Sequence, residues 1–327
     1  MALVGWQGIT VRVPDDWEPG QFSGDYTSGH MRLDSLEGPR LVVRWMGSDE
    51  VKDLYRREPS RDSAVERIVQ NYLKKLEKTE RKRKNEISYN PNTRLLSKRQ
   101  TGKKAMRCYS WECRPDRRYG QGLVWYCEEC QRTIIAEVTG KSKRQTEHEA
   151  RQVLATLRDH PENGLAVWAF FGMHFEVPER FKLTGSTTMV GRIELRFRDG
   201  SERVALQRWV ANVVLEGRAF DDWVRRQIMG PMRQEFRVRL KKGTIHGHPG
   251  ALLEGRKRRI HDTLIHIVTR LARRKTAYFL RGRVWHCEPS NKIFSVLTCT
   301  TEDNTNLADE ITQSAVCHGE GAGSDGR

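Results

Sequence analysis

The sequence predicts two tandem α+β domains, each a mainly antiparallel sheet flanked by helices. Three observations carry this reading: a strand that occurs twice, further matches in the same order, and one strongly amphipathic helix. Val124–Ile135 reads VWYCEECQRTII and Val284–Ser295 reads VWHCEPSNKIFS, 160 residues apart. Upstream, GITVRVPDDW (Gly8–Trp17) returns as GMHFEVPERF (Gly172–Phe181), GHMRL (Gly29–Leu33) as GRIEL (Gly191–Leu195), and LVVRW (Leu41–Trp45) as ALQRW (Ala205–Trp209). Four anchors in one order identify a duplication, and a self-similar chain must be read repeat by repeat.

Each repeat opens on an alternating strand, Ile9–Val13 in the first, which stops at a proline because proline cannot donate to a ladder. Strands are expected next around Tyr26–Leu33 and Arg40–Met46. A helix follows, with Val65, Ile68, Val69, Tyr72, Leu73 and Leu76 on one apolar stripe, and Ser60 or Asp62 able to cap its start. In the second repeat Phe220, Trp223, Val224 and Ile228 repeat the idea more briefly, ended by Gly230-Pro231. Strands are then expected at Arg94–Lys98, Lys104–Cys113, Gly122–Cys130 and Arg132–Val138, and a closing helix at Glu147–Leu157, matched by Asn306–Val316. The order β-β-β-α-β-β-β-α joins consecutive strands by short turns and so implies antiparallel pairing. The expected domains are 1–160 and 161–316, packed as an intramolecular pseudo-dimer, with DHPENGLAV at the junction and a disordered tail at 317–327.

The chain has 327 residues, of which 31% are charged and 37% hydrophobic, a globular composition. No apolar run approaches the ~18–20 residues of a spanning helix, so membrane insertion is not expected. The first residues carry no secretory leader pattern, and seven cysteines, an odd number, suit a reduced cytoplasmic protein. The net charge of +16 would attract nucleic acid or acidic proteins.

The Val13-Pro-Asp-Asp-Trp17 and Val177-Pro-Glu-Arg-Phe181 turns, with the hairpin, helix, strands and closing helix that follow, resemble the Mog1/PsbP-like superfamily. His248 in HGHPGALLEG sits where such domains have a G-H-x-(A/G) strand start; the first repeat departs from that pattern, with Gly102-Lys-Lys-Ala105. The resemblance implies α/β/α sandwiches that bind other macromolecules and do not catalyse. It carries no shared catalytic residues.

The chain holds no Walker, zincin or nucleophile-elbow motif, and no catalytic residue, metal ligand or cofactor is assigned. Cys108, Cys113, Cys127 and Cys130 lie close enough in sequence for a zinc site or an enzyme's thiols. Against this, residues three or five apart on a strand point to opposite faces, and Cys130 is matched by Ser290, leaving Cys127 and Cys287 as packing residues. Glu128 and Glu129 also disfavour a reactive thiolate. His246 and His248 share a strand face and form a second possible chelate.

The basic segments are more informative. The long helix ends in Arg81, Lys82, Arg83 and Lys84. The second repeat carries an insertion near 256–275, RKRRIHDTLIHIVTRLARRK, with eight lysines and arginines against one aspartate. Ordinary exposed helices mix charge signs, so this bias points to a partner. Leu264, Ile265, Val268, Leu271 and Ala272 would give it an apolar helix face. The expected partner-binding residues are Arg81, Lys82, Arg83, Lys84, Arg256, Lys257, Arg258, Arg259, Arg270, Arg273, Arg274 and Lys275. The expected function is a cytoplasmic binding or adaptor protein for an acidic protein or a nucleic acid, with Tyr278 and Phe279 near enough to stack on bases.

Overall fold

The computed structural model describes residues 1–97, 104–258, 277–303 and 306–318. The chain divides into two compact units, Met1–Phe171 and Gly172–Arg327. Both are sheet-rich α+β structures, and every strand pairing within each is antiparallel.

The first unit runs β1 (Ala2–Trp6), β2 (Ile9–Val13), β3 (Glu18–Gly24), β4 (Gly29–Ser35), β5 (Gly38–Gly47), α1 (Ser48–Arg57), α2 (Arg61–Lys82), β6 (Glu86–Asn90), β7 (Ala105–Arg114), β8 (Arg118–Cys127), β9 (Arg132–Gly140), α3 (Lys143–Leu154) and β10 (Leu165–Phe170). Seven strands form one sheet in the order β3-β4-β5-β9-β8-β7-β6. Helix α2 covers one face: Val65, Ile68, Val69 and Leu73 pack on Tyr109, Trp111, Cys113, Val124 and Tyr126. Each such aliphatic burial contributes about 2 kcal/mol. Ser60 caps the helix in a reciprocal capping box with Ser63. Helix α3 contacts β8, β9 and β2 and has no residue in that cluster. A short sheet orders β10-β1-β2, where Gly5 is required because a Cβ would meet the Val167 carbonyl oxygen at 2.6 Å.

The second unit repeats the plan with β11 (Met173–Pro178), β12 (Lys182–Met189), β13 (Arg192–Asp199), β14 (Glu202–Val210), α4 (Ala211–Leu215), α5 (Phe220–Trp223), a π-helical stretch (Val224–Met229), α6 (Gly230–Met232), β15 (Phe236–Ile245), β16 (His248–Lys257), β17 (Phe279–Cys287), β18 (Lys292–Thr300) and α7 (Leu307–Gln313). Its seven-stranded order, β12-β13-β14-β18-β17-β16-β15, matches the first strand for strand. Trp125 pairs with Ile134, and Trp285 with Phe294, again 160 residues on. The connecting turns also agree, with Gln131 at φ 55° and Asn291 at φ 53°.

Several expectations need correction. Residues 94–97 form no strand; the edge position is taken by β6, whose polar sequence EISYN hides its role. Strands β1 and β3 add to the expected order. Gly230-Pro231 does not end the second repeat's helix, because proline at a helix's first turn loses no hydrogen bond, and the turn continues to Met232. Strand β8 stops at Cys127, which puts Cys130 in the turn. Gly319–Arg327 and the Leu264–Ala272 helix lie outside the described residues.

Candidate functional site

The basic residues expected to bind a partner fall into two places. Arg81, Lys82, Arg83 and Lys84 end α2 and are all exposed. Arg83 is bound at 3.2 Å to Glu80, a buried carboxylate that also accepts from Asn85 at 2.8 Å and Arg118 at 2.5 Å. Arg81, Lys82 and Lys84 make no ion pair among the described residues. In the second unit Arg256, Lys257 and Arg258 lie at the end of β16, whereas Arg259, Arg270, Arg273, Arg274 and Lys275 lie outside the described residues.

Arg256 belongs to a larger basic face. The register sets Arg237 of β15 opposite Arg256, which in turn is opposite Phe279; two residues on, Arg239 faces Glu254, opposite Arg281; then Lys241 faces Leu252, opposite Arg283. Alternation turns all of these to one side of the sheet, while Val238, Leu240, Ala251 and Leu253 pack into the core on the other. Six cations, Arg237, Arg239, Lys241, Arg256, Arg281 and Arg283, thus meet three anions. Glu254 pairs with Lys241 at 3.2 Å, Asp303 with Arg256 at 2.8 Å, and Asp309 with Arg283 at 2.6 Å. Arg237 and Arg239 are exposed and make no ion pair among the described residues. The Arg256 guanidinium stands over the Phe279 ring, 5.5 Å from its centroid, and Tyr278 beside it is 50% exposed. Alternating arginines in FRVRLKK are the signal that could have revealed β15's part in this face.

The thiols are not gathered as the four-cysteine reading required. Cys108 lies against Leu95 and Leu96, where burial raises its pKa, and Cys113 lies beside Glu80 and Arg118, where burial again raises the thiol. Cys127 and Cys130 do converge, because the Glu128–Gln131 turn brings Cys130 back; Asp159 and His160 join them, with all four ligand atoms within 4.8 Å of one another. A hydrogen bond between the thiols raises the Cys127 pKa and lowers that of Cys130, so the turn outweighs the expected effect of Glu128 and Glu129. Asp159 is buried and saturated: Oδ1 accepts from Lys104 at 2.8 Å and Oδ2 from the Trp125 indole at 2.9 Å. The segment is placed by mutual backbone hydrogen bonds between Thr10 and Arg158 and by the buried Arg132, which donates to the carbonyls of Gln7, Tyr26 and Asp159.

The second unit has a group at the equivalent place. Val316 N donates to the His174 carbonyl, as Arg158 N does to Thr10, and so Cys317-His318 stands where Asp159-His160 stands. His248, Cys287, Cys317 and His318 bring their ligand atoms within 4.8 Å of one another. Cys287 and Cys317 are buried and His318 is exposed. Burial raises the Cys317 thiol's pKa and lowers that of the His248 imidazole. His246, expected as the partner of His248, is turned elsewhere, its Nε2 2.7 Å from the Thr312 carbonyl in a turn with φ 49°. Cys317 and His318, at the head of the expected tail, carry no local signal because their partners lie far away in sequence.

No family model and no curated protein matches this chain.

Proposed function

We propose that the protein is a non-catalytic binding protein whose second unit docks a single-stranded nucleic acid on the basic face of β15, β16 and β17. The observation that carries this reading is a pair of exposed arginines without an ion pair among the described residues, Arg237 and Arg239, in register beside Arg256 and its stacked partner Phe279. Charged residues on an edge strand also guard against strand addition. Here the cations run inward to Arg256 and Arg281, which edge protection does not require. Cations spaced along a strand track a phosphate backbone, and an aromatic beside them offers a stacking platform. Arg81, Lys82 and Lys84 are a second, smaller cationic surface on the first unit.

With this goes the proposal that the units are tandem Mog1/PsbP-like domains, supported by their shared strand order, and that the protein works in the cytoplasm, supported by seven cysteines that are all free thiols. Filter binding of the full chain to random single-stranded RNA and DNA over a salt series tests the function. Binding should weaken steeply as salt rises, since each neutralised phosphate releases a counterion. Failure to bind either at about 50 mM salt overturns the nucleic-acid reading; retention of polyglutamate in its place redirects it to an acidic protein.

A further inference from the structure

We propose that His248, Cys287, Cys317 and His318 form a structural zinc site in the second unit. Three segments distant in sequence supply the ligands: the first residue of β16, the last of β17, and the stretch after α7. The Cys317 Sγ lies 3.5 Å from His248 Nε2 and 3.3 Å from His318 Nδ1, and the Cys287 Sγ lies 3.3 Å from that same Nδ1. Zinc bonds of about 2.3 Å to sulfur and about 2.0 Å to nitrogen, set at tetrahedral angles, place sulfur and nitrogen about 3.5 Å apart. These three sulfur–nitrogen separations therefore match the edges of a zinc tetrahedron.

Hydrogen bonding alone serves this group poorly. Cys317 has one proton for two imidazole nitrogens, and the Cys287 thiol has one proton for His318 Nδ1 at 3.3 Å and the Cys317 carbonyl at 3.7 Å. A cation at the centre accepts from all four at once. The indole of Trp285 points the same way. It is fully buried, its N–H makes no well-formed hydrogen bond among the described residues, and it stands beside the Cys317 thiol, which it can reach as a donor. In the first unit the equivalent Trp125 donates to an anion, Asp159, at 2.9 Å. A Cys317 thiolate restores that pairing, and N–H donors to ligand sulfur are the outer contacts metal thiolates recruit.

The comparison also explains the cation. Ala105 pairs across from Tyr126, and Pro249 precedes Gly250, the residue paired with Trp285, so Lys104 of the first unit occupies the position of His248. There the Lys104 ammonium neutralises Asp159 from within the chain. The second unit has histidine and cysteine where the first has lysine and aspartate, so two deprotonated thiols there would take their positive charge from a bound ion. Two thiolates and two neutral imidazoles balance a divalent ion, and a soft sulfur-containing set selects zinc over magnesium or calcium. Four protein ligands leave no open position, so the ion holds the fold and does no chemistry. Binding releases the two thiol protons. The site is independent of the nucleic-acid reading.

Elemental analysis of the full chain, purified under reducing conditions, loaded with zinc and dialysed, tests the proposal. About one zinc per chain is expected. It should be lost in His318→Gln, whose exposed side chain leaves the core intact, and in Cys317→Ser, but kept in Cys127→Ser. Cobalt replacement of the wild-type ion, which needs no variant, should give thiolate-to-cobalt charge transfer and the intense visible bands of a tetrahedral centre. Absence of retained zinc and of those bands in the wild-type chain overturns the proposal, as does full retention by His318→Gln and Cys317→Ser together.

Discussion

Lys104 Nζ stands 2.8 Å from Asp159 Oδ1, and the carboxylate is almost wholly shielded while the lysine is partly open to solvent. Burial pushes the Asp159 pKa up, but the hydrogen bond and charge of Lys104 overcome it, and the net shift is downward.

Asp159→Asn strands the Lys104 ammonium and should destabilise the first unit by about 3 kcal/mol in urea denaturation. Because the folded pKa is depressed, the contribution of Asp159 is fully present above its ordinary pKa of about 4 and is lost as pH falls through the folded value. The gap between wild type and variant should therefore close in acid. A gap unchanged down to about pH 2 would show that the carboxylate's charge is not what matters.

Glu80 gathers Asn85, Arg83 and Arg118 at the end of α2. Burial raises its pKa, the Asn85 hydrogen bond and the Arg118 charge lower it, and the lowering prevails. Glu80→Gln should cost about 2 kcal/mol at neutral pH, with the loss fading below about pH 4 for the same reason of sign. Thermal melts across pH check this.

Arg237→Ala with Arg239→Ala removes two exposed cations of the face while leaving Val238 and Leu240 in the core. The circular dichroism spectrum should not change, nucleic-acid affinity should fall, and the slope of log affinity against log salt should shrink by about 2. An unchanged slope would place the binding face elsewhere.

Ser60→Ala removes one half of the capping box at the start of α2 and should lower stability by about 1 kcal/mol. Denaturant midpoints of the two proteins measure it directly.

Much of this fold was legible in the sequence because duplication reports on packing twice. The pairs Trp125/Trp285 and Cys127/Cys287 revealed matching strands, and the stripe from Val65 to Leu73 revealed the helix that covers the sheet. Strand β6 was hidden because an edge strand buries little and need not alternate: only Ile87 of Glu86–Asn90 is packed against the core cluster. The thiol–histidine groups were hidden for another reason. Strand geometry separates Cys127 from Cys130 only while the chain stays extended, and the turn that begins at Glu128 ends that extension. His248 and His318 lie 70 residues apart, and no local spacing announces a site assembled by sheet register. On the basic face, the arginines of β15 alternate with apolar residues, so their charge is sparser in sequence than that of the insertion and is concentrated only by the sheet register.

The shared hairpin has a consequence for how the polypeptide reaches its native state. VWYCEECQRTII and VWHCEPSNKIFS make the same two-stranded unit with the same turn, so each offers the same backbone register to a half-assembled sheet. During synthesis the earlier copy closes before its rival leaves the ribosome. Renaturation from a denatured pool removes that head start and should let the copies compete, with exchanged hairpins as the expected trap. Dilution offers no remedy, because both competitors travel on a single molecule.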